Sequence, residues 1–150
     1  MRVVVQRVIC AEVTVTGEVI SNVGRGLLVL VGVEEGDSQE DVAFMSRKLL
    51  NLRVFDDSKG RMDLSVTDVG GEILLISQFT LFGDCRKGCR PSFSRAASPE
   101  VAEELYLHLR DRILQAGISI QTGKFRARME VSSINEGPVT LILDSKQKRF

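Results

Sequence analysis

Ile73-Leu74-Leu75-Ile76, running straight into Ser77-Gln78-Phe79-Thr80-Leu81, is the stretch whose reading decides the fold. Four consecutive large apolar residues after Gly70-Gly71-Glu72 are too short for a helix and lack the alternation of a half-exposed strand. They predict a fully buried strand at the centre of the sheet. Its exit sets hydroxyls, a carboxamide and backbone N–H groups beside an apolar wall, an arrangement suited to chemistry on a carbonyl or simply to a satisfied strand end.

Working outward, Gly26 to Val33 is a second nearly all-apolar strand, covered on both faces. Val3-Val4-Val5 and Val8-Ile9 form a β-branched N-terminal strand interrupted by Gln6 and Arg7. Read alone, Arg7 is an edge residue snorkelling to water; the alternative is a functional cation held by the sheet. Glu12 to Val15 and Glu18 to Ile20 alternate around Thr16-Gly17 and predict a hairpin. Arg53-Val54-Phe55 is a short strand followed by a turn at Asp56 to Gly60. Further strands are expected at Ile118 to Gln121, Ala127 to Ile134 and Val139 to Leu143.

Two helices complete the pattern. The first starts at Asp37-Ser38-Gln39-Glu40, with Asp37 as the cap and Glu40 reaching back, and buries Val42, Met45, Leu49 and Leu52. The second starts at Ser98-Pro99-Glu100, buries Val101, Leu105, Leu109, Ile113 and Ala116, and stops at Gly117. The expected fold is α/β: a single compact domain over residues 1–145, with a mixed, mostly antiparallel sheet forming a barrel-like core and two main helices. A mobile basic tail is expected at 146–150.

The chain of 150 residues, 43% apolar and 27% charged, can bury a core without disulfides or metals. Twenty Lys and Arg balance twenty Asp and Glu, so a nucleic-acid partner must be met by local patches rather than by the overall field. Three cysteines, an odd number, and an N-terminus unlike a signal peptide favour a reducing, cytoplasmic compartment with no membrane partner. Asp84 to Arg95 is one such patch, carrying Arg86, Lys87, Arg90 and Arg95 around Phe93. Cations for phosphates with an interleaved aromatic suit RNA contact, and a solvated loop explains the same composition.

Ordinary catalytic groups are scarce. His108 is the only histidine and reads as a helix-surface residue rather than a triad member. Cys10, Cys85, Cys89 and His108 lack zinc-site spacing, and neither a metal nor another cofactor is expected. A thiol nucleophile at Cys85 or Cys89 has no identifiable base, and Thr80 lacks one too. For an ester substrate, preorganised N–H donors around Gln78, Phe79 and Thr80 are the more credible feature.

Taken together and in order, Val5-Gln6-Arg7-Val8, Ser77-Gln78-Phe79-Thr80-Leu81, Arg90-Pro91-Ser92-Phe93, Thr122-Gly123-Lys124-Phe125 and Asn135-Glu136-Gly137-Pro138-Val139-Thr140 resemble the D-aminoacyl-tRNA deacylase family over nearly the whole chain. The resemblance implies a homodimer that hydrolyses D-aminoacyl-tRNA and accepts glycine, with no DNA partner. It implies that Gly137 and Pro138, joined by a cis bond, enter the other subunit's pocket to read chirality through backbone carbonyls, and that Arg7 holds them. It further implies that Ser77, Gln78, Phe79 and Thr80 line the ester site, that Phe125, Ala127 and Met129 flank the terminal adenosine, and that the tRNA 2′-hydroxyl assists catalysis. The chain departs from the family pattern at Arg126, where a small residue is usual, at Arg128, often an acid, and mildly at Glu136. A tRNA-binding module without catalysis is the rival reading.

Overall fold

The computed structural model describes residues 1–147. In chain order the strands are β1 (Arg2–Val15), β2 (Glu18–Val23), β3 (Gly26–Gly32), β4 (Phe55–Asp56), β5 (Met62–Leu64), β6 (Glu72–Ser77), β7 (Ile120–Thr122) and β8 (Glu130–Asp144). The helices are α1 (Gln39–Asn51) and α2 (Pro99–Gln115), with a short 3-10 helix at Phe79–Phe82.

The expected buried strand is β6, parallel to β3 on one side and to β7 on the other. It is interior, but the organising strand is β1. Residues 2–8 of β1 pair antiparallel with β3 and residues 11–15 with β2, while β8 runs along the opposite side from Arg2↔Asp144 to Thr14↔Glu130. One strand long enough to serve two neighbours in succession curls the sheet, giving the barrel-like core. β4 and β5 form a separate two-stranded ribbon.

The unbroken apolar run of β6 reflects two cores. Ile73 and Leu75 join Val3, Val5, Leu27, Val29 and Val31 beneath α1 and α2. Leu74 and Ile76 join Val8, Ala11, Val13, Val23 and Leu28 inside the curl. Each such side chain, fully buried, contributes about 1.5–3 kcal/mol. β3 and β6 approach so closely at their start that a Cβ on Gly26 would lie 1.9 Å from the Glu72 carbonyl oxygen, which only glycine permits.

Several local expectations shift. Ser38, not Asp37, caps α1, and Asp41, not Glu40, completes the capping box. Asp37 is occupied instead by the buried Met1 ammonium at 2.7 Å and by the Glu34 N–H. On α2, Tyr106 takes the buried place expected of Val101 and Ala116, which are exposed. The last strand is continuous because the Asn135 side chain donates to the carbonyls of Arg7 and Val139, bridging two register shifts around Gly137-Pro138. It starts late, at Glu130, because residues 124–127 form a turn closed by Ala127 N–H on the Lys124 carbonyl. Lys146, assigned from sequence to a mobile tail, is anchored by Glu34 and Asp37, and its N–H bonds Asp144. Lys148 and Arg149 lie outside the described residues.

Candidate active site

At the end of β6 the chain turns sharply: Gln78 N–H bonds the Val31 carbonyl at 2.6 Å, and the 3-10 helix begins. The leading N–H groups of such a helix, here of Phe79 and Thr80, have no intrahelical acceptor and are available as donors. The Gln78 carboxamide donates to the Thr80 hydroxyl. That partner is neutral and cannot take a proton, so Thr80 is not an activated nucleophile. Phe79 is 58% exposed and meets Phe93 of the basic loop edge-on, with centroids 5.0 Å apart.

Ser77 and Phe79 form one wall of a pocket completed by Val31, Val33, Ala97, Ala102, Tyr106, Phe125 and Arg126. It is narrow, about 70 Å³, and adjoins a hollow of about 330 Å³ bounded by Phe79, Ala97, Pro99, Ala102, Phe125 and Arg126. The larger space is within the range of small-ligand sites. Tyr106, 5.9 Å from Phe125 between ring centroids, donates its hydroxyl to the Leu75 carbonyl at 2.7 Å. Burial pushes its pKa far up, so the phenol is a wall and not an acid or base.

The structure thus brings Ser77, Phe79 and Phe125 together, with Gln78 and Thr80 on the adjoining turn. Met129 lies apart from Phe125, packed on the inner core with its sulfur close to Gly123. Ala127 sits between them, partly buried. The periodicity of α2 did not single out Tyr106 or Ala102, and Ala97 lies before the helix; the one available signal was that Tyr106 is the chain's only tyrosine, next to the stripe residue Leu105.

Arg7, Gly137 and Pro138 gather elsewhere. Arg7 is 6% exposed and far from an edge residue. Its guanidinium donates to the Val54 carbonyl at 2.5 Å and the Glu136 carbonyl at 3.2 Å, and pairs with Asp56 at 3.4 Å and Glu136 at 3.7 Å. The Gly137-Pro138 bond is cis, both residues are exposed, and a Cβ on Gly137 would lie 2.8 Å from an Arg7 nitrogen. Arg7 stands opposite Leu27, which stands opposite Ile73, four residues before Ser77. At about 3.3 Å per residue the dipeptide is offset from Ser77 by roughly 13 Å along the strands, with β1 and β3 intervening. Within one subunit the two loci do not meet.

The basic loop is closed by paired backbone bonds between Asp84 and Ser92. Arg86 engages Asp84, whose carboxyl its hydrogen bonds hold down at about 2, and Arg95 engages Glu34 at 2.5 Å. Among the described residues Lys87 and Arg90 make no ion pair, leaving these two as the free cations of the loop. His108 shares a hydrogen bond with Gln39 on the helix surface. Cys10, Cys85 and Cys89 are free and exposed. Among the described residues no His, Cys, Asp and Glu cluster suited to a metal occurs, and no helix is long and apolar enough to cross a membrane.

The chain is 56% identical over 148 residues to a D-aminoacyl-tRNA deacylase of Geobacillus sp. (strain WCH70), covering 99% of this chain and 97% of that protein. It is 52% identical over 149 residues to one of Natranaerobius thermophilus, covering 99% of each. Among solved structures, the c-Myc DNA Unwinding Element Binding Protein superposes with a TM-score of 0.91 at 44% identity, covering 96% of this chain and 98% of that one. A probable eukaryotic D-amino acid tRNA deacylase shares the fold, with a TM-score of 0.82 at 18% identity over 95% and 97% of the two chains. The family model described as D-Tyr-tRNA(Tyr) deacylase matches residues 4–144, so this chain belongs to that family of hydrolases.

Proposed function

We propose that the protein is a homodimeric, cytoplasmic proofreading enzyme that hydrolyses the ester of D-aminoacyl-tRNA, and of glycine mischarged onto tRNA, releasing free amino acid and tRNA. The observation that carries the reading is the placement of Gly137-Pro138. The dipeptide is exposed on β8, moored from behind by Arg7, and too far from its own subunit's pocket to act there. Among the described residues β8 pairs only with β1, and it exposes Val131, Ile134, Leu141 and Ile142, an apolar strand edge of the kind that attracts another chain.

In the dimer, Gly137 and Pro138 of the partner subunit enter the pocket beside Ser77 and Phe79. Their carbonyls accept hydrogen bonds from the substrate's α-ammonium. With amine and ester both fixed, an L side chain is directed into the dipeptide and a D side chain away from it; glycine has nothing to exclude. Chirality is read by main chain, which no side-chain substitution in the substrate can evade.

Catalysis follows from what the site lacks. Thr80 has only a carboxamide neighbour and Tyr106 stays protonated, so neither serves as a side-chain base. The Phe79 and Thr80 N–H groups stabilise the oxyanion as water attacks the ester carbon. The bond from that carbon to the ribose 3′-oxygen breaks, the oxygen leaves protonated, and the neighbouring 2′-hydroxyl of the terminal nucleotide relays the proton. Phe125, with Ala127 next to it, flanks the terminal adenosine, while Met129 supports the turn from the inner core; Lys87 and Arg90, together with the acid-paired Arg86 and Arg95, meet the acceptor-stem phosphates.

Incubation of purified protein with matched D-tyrosyl-, L-tyrosyl- and glycyl-tRNA tests this reading. Loss of the D- and glycyl-esters with the L-ester spared is expected, and a terminal 2′-deoxyadenosine slows the D reaction. The free cations favour a second reading, a binding module without catalysis; tight tRNA binding with all three esters intact establishes it.

A further inference from the structure

Among the described residues only two non-glycine residues have positive φ, Thr16 at 51° and Arg126 at 62°. Thr16 is explained by the tight β1–β2 hairpin. Arg126 occupies the third position of the turn Lys124-Phe125-Arg126-Ala127, closed by a 3.1 Å bond from Ala127 N–H to the Lys124 carbonyl. This is a place where glycine is at ease and a branched-out L residue is strained. The turn therefore holds a long cation where a smaller residue would fold more readily, and that cation lines both the narrow pocket and the hollow beside it.

Three features describe what Arg126 faces. The hollow is otherwise built from Phe79, Ala96, Ala97, Pro99, Ala102 and Phe125, an apolar surface for a base and ribose with no other charge. Pro99 is the first residue of α2, whose 17 residues direct their positive dipole end toward the same rim. Among the described residues Arg126 makes no ion pair; Glu100 is the acid that senses it, held down first by its own backbone N–H, then by Ser98, and least by Arg126. Exposed Lys124 and Arg128 flank it, alternating with the inward Phe125, Ala127 and Met129.

We infer that Arg126 clamps the 5′-phosphate of the substrate's terminal nucleotide, fixing the sugar while the aminoacyl ester reaches Ser77 and Phe79. The inference rests on the deacylase reading. It assigns Arg126 a role in binding, expressed in KM rather than kcat.

The test compares two minimal esters, 3′-O-D-tyrosyl-adenosine and the same compound bearing a 5′-phosphate, with wild type, Arg126→Lys and Arg126→Gly. Glycine relieves the strained turn, so this variant is expected to fold at least as stably, which a melting curve checks. For wild type the phosphate lowers KM about tenfold or more, the gain of one charge-assisted contact. In Arg126→Gly the ratio between the two esters falls to near one, and Arg126→Lys retains part of it. An undiminished ratio in Arg126→Gly overturns the clamp. If wild type cleaves neither ester, the D-tyrosyl-tRNA assay decides the deacylase reading separately, and equilibrium binding of adenosine 5′-phosphate against adenosine decides the clamp alone: a phosphate preference that Arg126→Gly abolishes supports it, and equal binding of the two ligands by wild type refutes it.

Discussion

Replacing Arg7 with methionine keeps the bulk of the buried stem and removes the guanidinium. Two carbonyl oxygens, of Val54 and Glu136, then lose a charged donor, and the Asp56 and Glu136 carboxylates lose their common partner. Hydrogen bonds to a charged group are worth about 1.5–3 kcal/mol each. The Asp56 pair is discounted because its carboxylate is nearly half exposed. Breaking a buried, charge-paired cation costs about 3–5 kcal/mol. At about 2–4 °C per kcal/mol for a chain of this size, the melting temperature falls by roughly 6–20 °C. Arg7→Lys keeps the charge without the planar fork and recovers a part of this loss. Denaturant titration gives the free energy, and D-tyrosyl-tRNA hydrolysis, measured where each variant is fully folded, gives the functional effect. Hydrolysis is expected to fall further than stability, since the dipeptide's mooring goes with Arg7. A methionine variant within about 1 kcal/mol of wild type would refute the picture of Arg7 as the strut behind Gly137-Pro138.

Other consequences are open to direct measurement. Gly137→Ala forces a Cβ to within 2.8 Å of Arg7 and 3.0 Å of Val139 at a φ of +123°, and should cost about 1–3 kcal/mol in urea denaturation. Ile134→Lys changes a residue that is 55% exposed, so the fold should survive while size-exclusion chromatography with light scattering shows the proposed dimer dissociating to monomer; a dimer unchanged from wild type removes β8 from the interface. Tyr106, the only tyrosine, is held neutral by burial, so phenolate absorbance should not rise near pH 10 while the protein stays folded. Its folded pKa lies above its unfolded one, so the stability it contributes is complete below about pH 10 and declines as pH rises beyond that value.

Much of the architecture was legible because short-range pattern decides it. The apolar runs of β3 and β6, the Thr16-Gly17 hairpin and both helices follow from periodicity and turn chemistry alone. What escaped depends on contacts distant in sequence. The capping box slipped by one residue because Asp37 and Ser38 are both good caps, and the Met1 ammonium, the Glu34 N–H and Lys146 draw Asp37 away. Arg7 read as an edge residue because its partners lie 47 and 129 positions on, in Val54 and Glu136. In the pocket, Ser77 and Phe79 were marked by the strand exit and Phe125 by family resemblance, whereas Tyr106 sits beside the correctly read stripe of Leu105, Leu109 and Ile113, where periodicity alone does not mark it. Which loop cations remain free could not be read from composition, since Arg86 and Arg95 are distinguished from Lys87 and Arg90 only by acids that fold against them.

The central claim is that each active site combines Phe79 and its neighbours from one subunit with Gly137-Pro138 from the other. It is tested most directly by mixing two variants, one disabled by Phe79→Pro, which removes both a donor N–H and the aromatic wall, the other by Gly137→Ala with Pro138→Ala. Refolded together in equal amounts, they should regain about a quarter of wild-type D-tyrosyl-tRNA hydrolysis, because half the dimers are mixed and each mixed dimer holds one intact site of two. If a site is built within one subunit, every site carries a defect, and the mixture stays as inactive as the separate variants.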